Sequence, residues 1–257
     1  MKITWFGTAS LALESNSGAR ILFDPFLRMN KRLPAIPLTD YVGYDAILLT
    51  HGHVDHIYHV PKVAAADKNV PVYCTAAPAR SLKLMGVDEK RIRRIRPDDS
   101  FTVGDIEITA RPGRHVRFNL PYIAASAPQC ILKPVKAALL IASGMTLPEM
   151  GEILIFEIRC DGKTVTVMGS FGVDKRATYR EEPDVLVLPY NGSTNIPALA
   201  DTPLKEIRPK MVFFDHYDDA FPPLTRRMDV ENYEQRLKKD FPGLQTLIPE
   251  EQRAYAF

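Results

Sequence analysis

The sequence predicts an α/β protein built as a four-layer αββα sandwich, two packed sheets covered by helices. Three observations point there. Apolar runs of strand length, separated by turn residues, fall in two groups on either side of residue 115 or so. Each half carries helical segments at its edge, which suits two sheets packed face to face with helices outside. The chain has 257 residues, 46% hydrophobic and 25% charged, the composition of a globular protein with a sizeable core. One domain over residues 1–257 is the expected organisation, and no internal repeat is visible.

In chain order, Lys2 to Ser15 reads as strand, Asn16-Ser17-Gly18 as a turn and Ala19 to Phe23 as a second strand, an opening hairpin that ends at Asp24-Pro25-Phe26. Residues 28–43, rich in proline and basic side chains, read as a loop over one face. Asp45 to Leu49 is a short apolar run of the buried-strand type. Pro61 suits the first turn of a helix, and residues 61–67 are helical in composition. Val70 to Thr75 follows as strand, and Ala76 to Met85 as a helix stopped at Gly86. In Lys90-Arg91-Ile92-Arg93-Arg94-Ile95-Arg96 the isoleucines interleave with bases. A strand with an exposed basic face is favoured there over a phosphate or RNA site. Ser100 to Arg111, turning at Gly104-Asp105, reads as a hairpin.

Residues 116–150 hold four prolines, Cys130 and the apolar run Val135 to Ala142, which reads as a short helix. This segment reads as an insertion between core strands. A lid-like role is expected of so long a connection, with an edge-packing element or a dimer contact as the alternatives. Glu152 to Cys160 and Lys163 to Met168 flank Asp161-Gly162, a strong hairpin signal. Asp184 to Tyr190 is a buried strand, and its Asn191-Gly192-Ser193 loop sits where pockets are commonly shaped. Met211 to Phe214 is strand again. Asp229 caps a helix through Phe241, whose Val230, Tyr233, Leu237 and Phe241 share one face. Pro242-Gly243 ends it before a last strand, Leu244 to Pro249.

Charge narrows the function classes. Lys and Arg number 33 against 31 Asp and Glu, a net charge of +2, which gives no reason to expect a nucleic-acid or membrane partner. A small-molecule substrate is expected, and a homo-oligomer stays open. Cys74, Cys130 and Cys160 are widely spaced and odd in number, so they read as reduced thiols and not as a disulfide framework. Met1 to Trp5 lacks the apolar core of a signal peptide, and no run reaches the length of a membrane span. The cytoplasm of a bacterium or similar cell is the expected location.

The chemistry concentrates in Thr50-His51-Gly52-His53-Val54-Asp55-His56. It follows a strand, and side chains alternate along extended backbone, so His51, His53 and Asp55 can face one way. His56 sits where the chain leaves the strand. Three imidazoles and a carboxylate packed this closely suit zinc or a similar divalent ion. The alternative is a polar loop that happens to be rich in histidine. It is disfavoured because the chain has six histidines and three fall in this run.

His51-x-His53-x-Asp55-His56 after an apolar strand resembles the signature of the metallo-β-lactamase superfamily, and the resemblance extends over nearly the whole chain. It implies the αββα fold of that family. It also implies a metal centre in two parts: His51, His53 and His115 in one, and Asp55, His56 and His216 in the other. Five of the six histidines are then used, leaving His59. The family places an aspartate after the glycine of Gly169-Ser170, where it bridges two metals. Ser170 at that bridging position departs from the pattern and leaves a carboxylate-bridged pair in question, while Asp174 has the wrong offset to replace it. Asp24 resembles a carboxylate that supports the ligand loop, and a strand-end turn residue is an equally good reading. The implied cofactor is Zn2+, one or two ions, with Mn2+, Fe2+ or Ni2+ as alternatives.

A divalent ion lowers the pKa of bound water from about 16 to roughly 7, so hydrolysis of a small-molecule ester, lactone or phosphoester is the implied activity. Asp55 would orient the water or shuttle a proton, with His216 as ligand or proton donor. The Lys2-Ile3-Thr4-Trp5-Phe6-Gly7 opening and Phe23-Asp24-Pro25 resemble the branch that includes L-ascorbate-6-phosphate lactonase. Two other readings remain: a phosphodiesterase of the ribonuclease Z or phospholipase D type, and a metal-binding protein that has lost catalysis. The lack of a secretion signal argues against a β-lactamase.

Overall fold

The computed structural model describes residues 1–116, 120–135, 137–138, 151–220 and 222–257. The first half contains β1 (Lys2–Trp5), β2 (Leu11–Glu14), β3 (Arg20–Phe23), β4 (Ala46–Leu48), β5 (Val72–Cys74) and β6 (Ile92–Arg94), with helices α1 (Val54–Ile57), α2 (Val60–Ala66) and α3 (Ala76–Leu84). Then come β7 (Ser100–Val103), β8 (Ile106–Arg114) and helix α4 (Leu120–Leu132). The second half contains β9 (Ile153–Cys160), β10 (Lys163–Met168), β11 (Gly172–Val173), β12 (Val185–Pro189), β13 (Met211–Asp215), β14 (Gln245–Leu247) and β15 (Ala254–Ala256). Its helices are α5 (Ile196–Ile207) and α6 (Val230–Asp240).

Two sheets form. The first has the order β15-β1-β2-β3-β4-β5-β6, and the second β11-β8-β9-β10-β12-β13-β14 with β7 on β8. β1 to β3 and β8 to β10 pair antiparallel, β8 and β9 across the long connection that holds α4. β3, β4, β5 and β6 run parallel, as do β10, β12, β13 and β14. Parallel neighbours need a crossover, and α1 to α3, α5 and α6 lie in those connections.

Alternation along the strands makes the layers. In β3, Ile21 and Phe23 join the core between the sheets, while Leu22 joins a separate core with Val60, Val63 and Leu82 of the helices. Ala46 and Leu48 face inward and Ile47 faces outward in the same way. On the far side α5 and α6 pack Ile196, Leu204, Val230 and Leu237 against the second sheet. Helices, sheet, sheet and helices thus stack as αββα.

Several expectations are corrected. Lys2 to Ser15 is two strands, broken at Phe6–Ser10, where Gly7 (φ +95°) and Thr8 (φ +52°) turn the chain. Asp55 lies with His56 on the one-turn helix α1 and not on the extended backbone expected for it, with His53 at the helix N-cap. Helices α4 and α5 carry internal prolines, Pro128 and Pro203, which mask a helix in sequence. β15 closes the first sheet by pairing Ala254 to Ala256 with β1. Most of the Val135 to Ala142 run lies outside the described residues. No described helix is long and apolar enough to cross a membrane.

Candidate metal centre

The centre lies at the carboxyl ends of β4 and β13, where the parallel part of each sheet leaves a crevice. β4 delivers the ligand loop, and β8 ends immediately before His115. β13 ends at Asp215, and His216 follows in the left-handed region at φ +57°. Asp24, also left-handed at φ +40°, ends β3. Left-handed non-glycine residues concentrate at functional sites, where surrounding contacts hold them. Here the His216 amide donates to the Thr8 carbonyl at 2.8 Å. The Thr8 amide in turn donates to Asp218 Oδ1 at 2.8 Å. The kink at Gly7-Thr8 is therefore a support for His216.

The ligand loop is held from beneath by the buried Asp24 and Thr50. Asp24 Oδ1 accepts the Thr50 amide at 2.9 Å, and Oδ2 lies 2.6 Å from Thr50 Oγ1. His56 Nδ1 is 2.8 Å from Asp24 Oδ2. Thr50 Oγ1 is 3.0 Å from His51 Nδ1 and 3.2 Å from His56 Nδ1. Gly169 lets Thr50 fit, since a Cβ there would stand 2.3 Å from Thr50 Cβ.

Two groups of donor atoms converge above this support. His51, His53 and His115 bring ligand atoms within 4.8 Å of one another, and so do Asp55, His56 and His216. The groups adjoin, with the rings of His51 and His56 centred 3.9 Å apart. His51 Nε2 is buried without a hydrogen-bond partner. A buried imidazole nitrogen with a free lone pair fits a metal ion. Burial, reinforced by His56, His53 and His115, holds the His51 pKa well below the usual histidine range. Burial also pushes His53 down to about 4, against the pull of Asp55. His115 is lowered by burial, and its Nδ1–H donates to the Val116 carbonyl at 2.5 Å. All three stay neutral near pH 7, and the neutral imidazole is the ligating form.

The second group is charged. Burial raises the Asp55 pKa, but His56, His216 and His53 overcome it and keep the carboxyl ionised. Burial likewise opposes protonation of His216. The 3.0 Å contact to Asp55 Oδ2, with Asp55, Asp215 and Asp218 nearby, lifts it to about 9 instead. An imidazolium there marks a place that favours positive charge, and a metal binding there would displace that proton. The donor set of five imidazoles and one carboxylate suits zinc, with manganese, iron or nickel as alternatives.

A cavity of about 320 Å³ opens onto both groups. Val54, Val116, Phe171, Pro189 and Leu224 give it apolar walls, and Asn191, Gly192 and Thr225 form part of its rim. No Lys or Arg lines it among the described residues. Ser170 also lines it, nearly buried, and its Oγ accepts the Val116 amide at 2.9 Å. Ser170 thus braces the strand end that carries His115. The roles of Thr8, Asp218 and Gly169 in supporting His216 and Thr50 are not visible in the sequence, where Asp218 reads as a turn residue and Gly169 only as the neighbour of Ser170, because their partners lie far along the chain. His59 stands apart, its Nδ1 accepting the Leu27 amide at 3.2 Å. In the basic stretch Arg91 is structural, donating to the carbonyls of Ala64, Asp67 and Val70.

Residues 19–197 match the family model described as beta-lactamase superfamily domain. A UPF0173 metal-dependent hydrolase of Archaeoglobus fulgidus is 34% identical over 115 residues, 45% of this chain and 46% of that protein. The match thus spans about half the length of that relative. One from Myxococcus xanthus is 29% identical over 252 residues, 97% of this chain and 81% of the relative. Among solved structures, a metallo hydrolase from the archaeon Ignicoccus hospitalis superimposes with a TM-score of 0.67 at 19% identity, covering 100% of this chain and 98% of that one. A metallo-β-lactamase fold protein from Bacillus subtilis superimposes with a TM-score of 0.65 at 16% identity, covering 99% of this chain and 98% of that one, and that likeness shows the fold.

Proposed function

The chain belongs to the beta-lactamase superfamily, and from that premise we propose that it is a metal-dependent hydrolase of neutral small-molecule esters or lactones. One observation carries the proposal: two three-residue donor groups meet at the floor of a single apolar cavity. The relatives from Archaeoglobus fulgidus and Myxococcus xanthus bear the name metal-dependent hydrolase, in keeping with this reading. His51, His53 and His115 would hold one ion, and Asp55, His56 and His216 a second. An ion held there supplies Lewis acidity, which brings the pKa of a bound water to about 7.

The chain's own residues do the rest. Asp55 stays ionised and is placed to orient the attacking water and accept its proton. His216, hydrogen-bonded to Asp55, is the proton donor or ligand facing it. Val54, Val116, Phe171 and Leu224 exclude bulk water and accept an apolar substituent. No Lys or Arg lines the cavity among the described residues, so a phosphoester's charge would rest on the donor groups and their ions alone, whereas the apolar walls accept a neutral substituent directly. This favours the lactone chemistry of the lactonase-like branch without its phosphate. Among the described residues of the 116–150 connection, α4 reaches the cavity wall, where Cys130 Sγ donates to the Pro223 carbonyl at 3.8 Å beside Leu224, in keeping with a lid-like role. Three unpaired cysteines suit a reducing compartment, the cytoplasm.

The test is a panel of lactones, aryl esters, thioesters and phosphodiesters offered to the zinc-loaded chain and to His53→Ala. Turnover of neutral esters or lactones, lost in His53→Ala, is the expected result. Preference for phosphodiesters overturns the substrate class. Tight metal binding with no turnover of any member points to a binding protein.

A further inference from the structure

We propose that Thr50 is a positioning residue shared by both donor groups: its single hydroxyl proton fixes which ring nitrogen His51 offers to a metal, and orders the carboxylate that does the same for His56. The inference rests on the metal-centre reading above and deepens it.

Proton bookkeeping carries it. Thr50 Oγ1 has one hydrogen and three polar neighbours. Asp24 Oδ2, at 2.6 Å, is the shortest contact and the carboxylate is the strongest acceptor, so the hydroxyl donates there. Toward His51 Nδ1, 3.0 Å away, Thr50 can then only accept. Nδ1 must carry the hydrogen, which leaves the lone pair on Nε2, the buried atom without a protein partner. Asp24 Oδ2 also faces His56 Nδ1 at 2.8 Å. A carboxylate oxygen only accepts, so His56 too holds its hydrogen on Nδ1 and offers Nε2. His51 belongs to one donor group and His56 to the other. One hydroxyl thus sets the first directly and the second through Asp24.

Thr50 is itself immobile. Its amide donates to Asp24 Oδ1 at 2.9 Å, and its carbonyl accepts the Leu154 amide at 2.9 Å. Gly169, next to Ser170 and just past the end of β10 in the opposite sheet, leaves the space the side chain fills. The hydroxyl is therefore pinned between the sheets, at a point where only a small residue opposite can admit it. Partners behind metal-bound histidines fix tautomer and ring orientation, and their loss typically lowers metal affinity about 10–100-fold.

Thr50→Val keeps the shape and removes the hydroxyl, whereas Thr50→Ser keeps the hydroxyl and removes the methyl. Zinc affinity is read by chelator competition on the full chain. Thr50→Val is expected to weaken zinc binding about 10–100-fold, and Thr50→Ser to retain most of the wild-type affinity. In the zinc-loaded wild type, nitrogen-15 spectra of the imidazoles should show His51 and His56 protonated at Nδ1 and coordinated through Nε2. That spectrum decides the matter alone if Thr50→Val does not fold. Wild-type affinity in Thr50→Val, equal losses in both variants, or coordination through His51 Nδ1 overturns the proposal. Retention of metal by His51→Ala/His53→Ala would instead defeat the metal-centre reading beneath it.

Discussion

Gly169→Ala is the sharpest test of how the ligand loop is supported. The added methyl would lie 2.3 Å from Thr50 Cβ, 2.5 Å from Oγ1 and 2.9 Å from Cγ2. Carbon atoms pack best at about 3.5–4.0 Å, so the two residues must separate by on the order of 1 Å. Thr50 has nowhere to go, because its amide, carbonyl and hydroxyl are all engaged. A shift of that size would stretch the 2.6 Å contact with Asp24 beyond hydrogen-bond range. Overpacking costs about 1–3 kcal/mol, and a lost hydrogen bond to a buried charge about 1.5–3 kcal/mol. At about 2–4 °C per kcal/mol for a domain of this size, the melting temperature should fall on the order of 10 °C. The assay is a thermal melt in the presence of chelator, so that lost metal does not contribute, beside a zinc titration that should also weaken. A variant that melts with the wild type and binds zinc undiminished would refute the packing of Thr50 on Gly169.

Two further outcomes follow from the same geometry. His59 is pushed down to about 4, first by burial and then by Lys62. Its neutral form is favoured on folding, so that stability is fully present above pH 6.5 and is lost as pH falls towards 4. His59→Gln should flatten that part of the acid-unfolding profile, by up to about 1.4 kcal/mol per pH unit, and an unchanged profile counts against it. Ser170→Asp keeps an acceptor for the Val116 amide and adds a negative charge beside both donor groups. Calorimetry should then show tighter binding of a second metal, whereas two equally tight wild-type sites unchanged by the substitution would show that Ser170 is not at the bridging place.

The sequence makes the layers and the ligand loop legible for a physical reason. Period-two alternation in Ile21-Leu22-Phe23 and the apolar run before His51 are local signals of two-sided burial, and the structure uses them so. His115 and His216 are legible only through the family's spacing, since nothing local marks a strand-end histidine. The structure brings both to His51, His53, Asp55 and His56. What stays hidden is long-range or masked. Thr8 matters through Asp218, 210 residues away, and Gly169 through Thr50. The departure of Asp55 from extended backbone depends on α1 beginning at Val54, immediately after the N-cap His53. Pro128 and Pro203 hide α4 and α5 because proline removes a helical donor without always ending the helix.

The central claim is that His51, His53, Asp55, His56, His115 and His216 form a metal centre. Metal content of the purified full chain, measured by elemental analysis beside His51→Ala/His53→Ala and a His59→Ala control, tests it most directly. The wild type and His59→Ala should carry at least one zinc, manganese, iron or nickel ion per chain, and the double variant should lose the ion held by the first group. Full metal in the double variant, or none in the wild type after growth with these metals supplied, would contradict the claim.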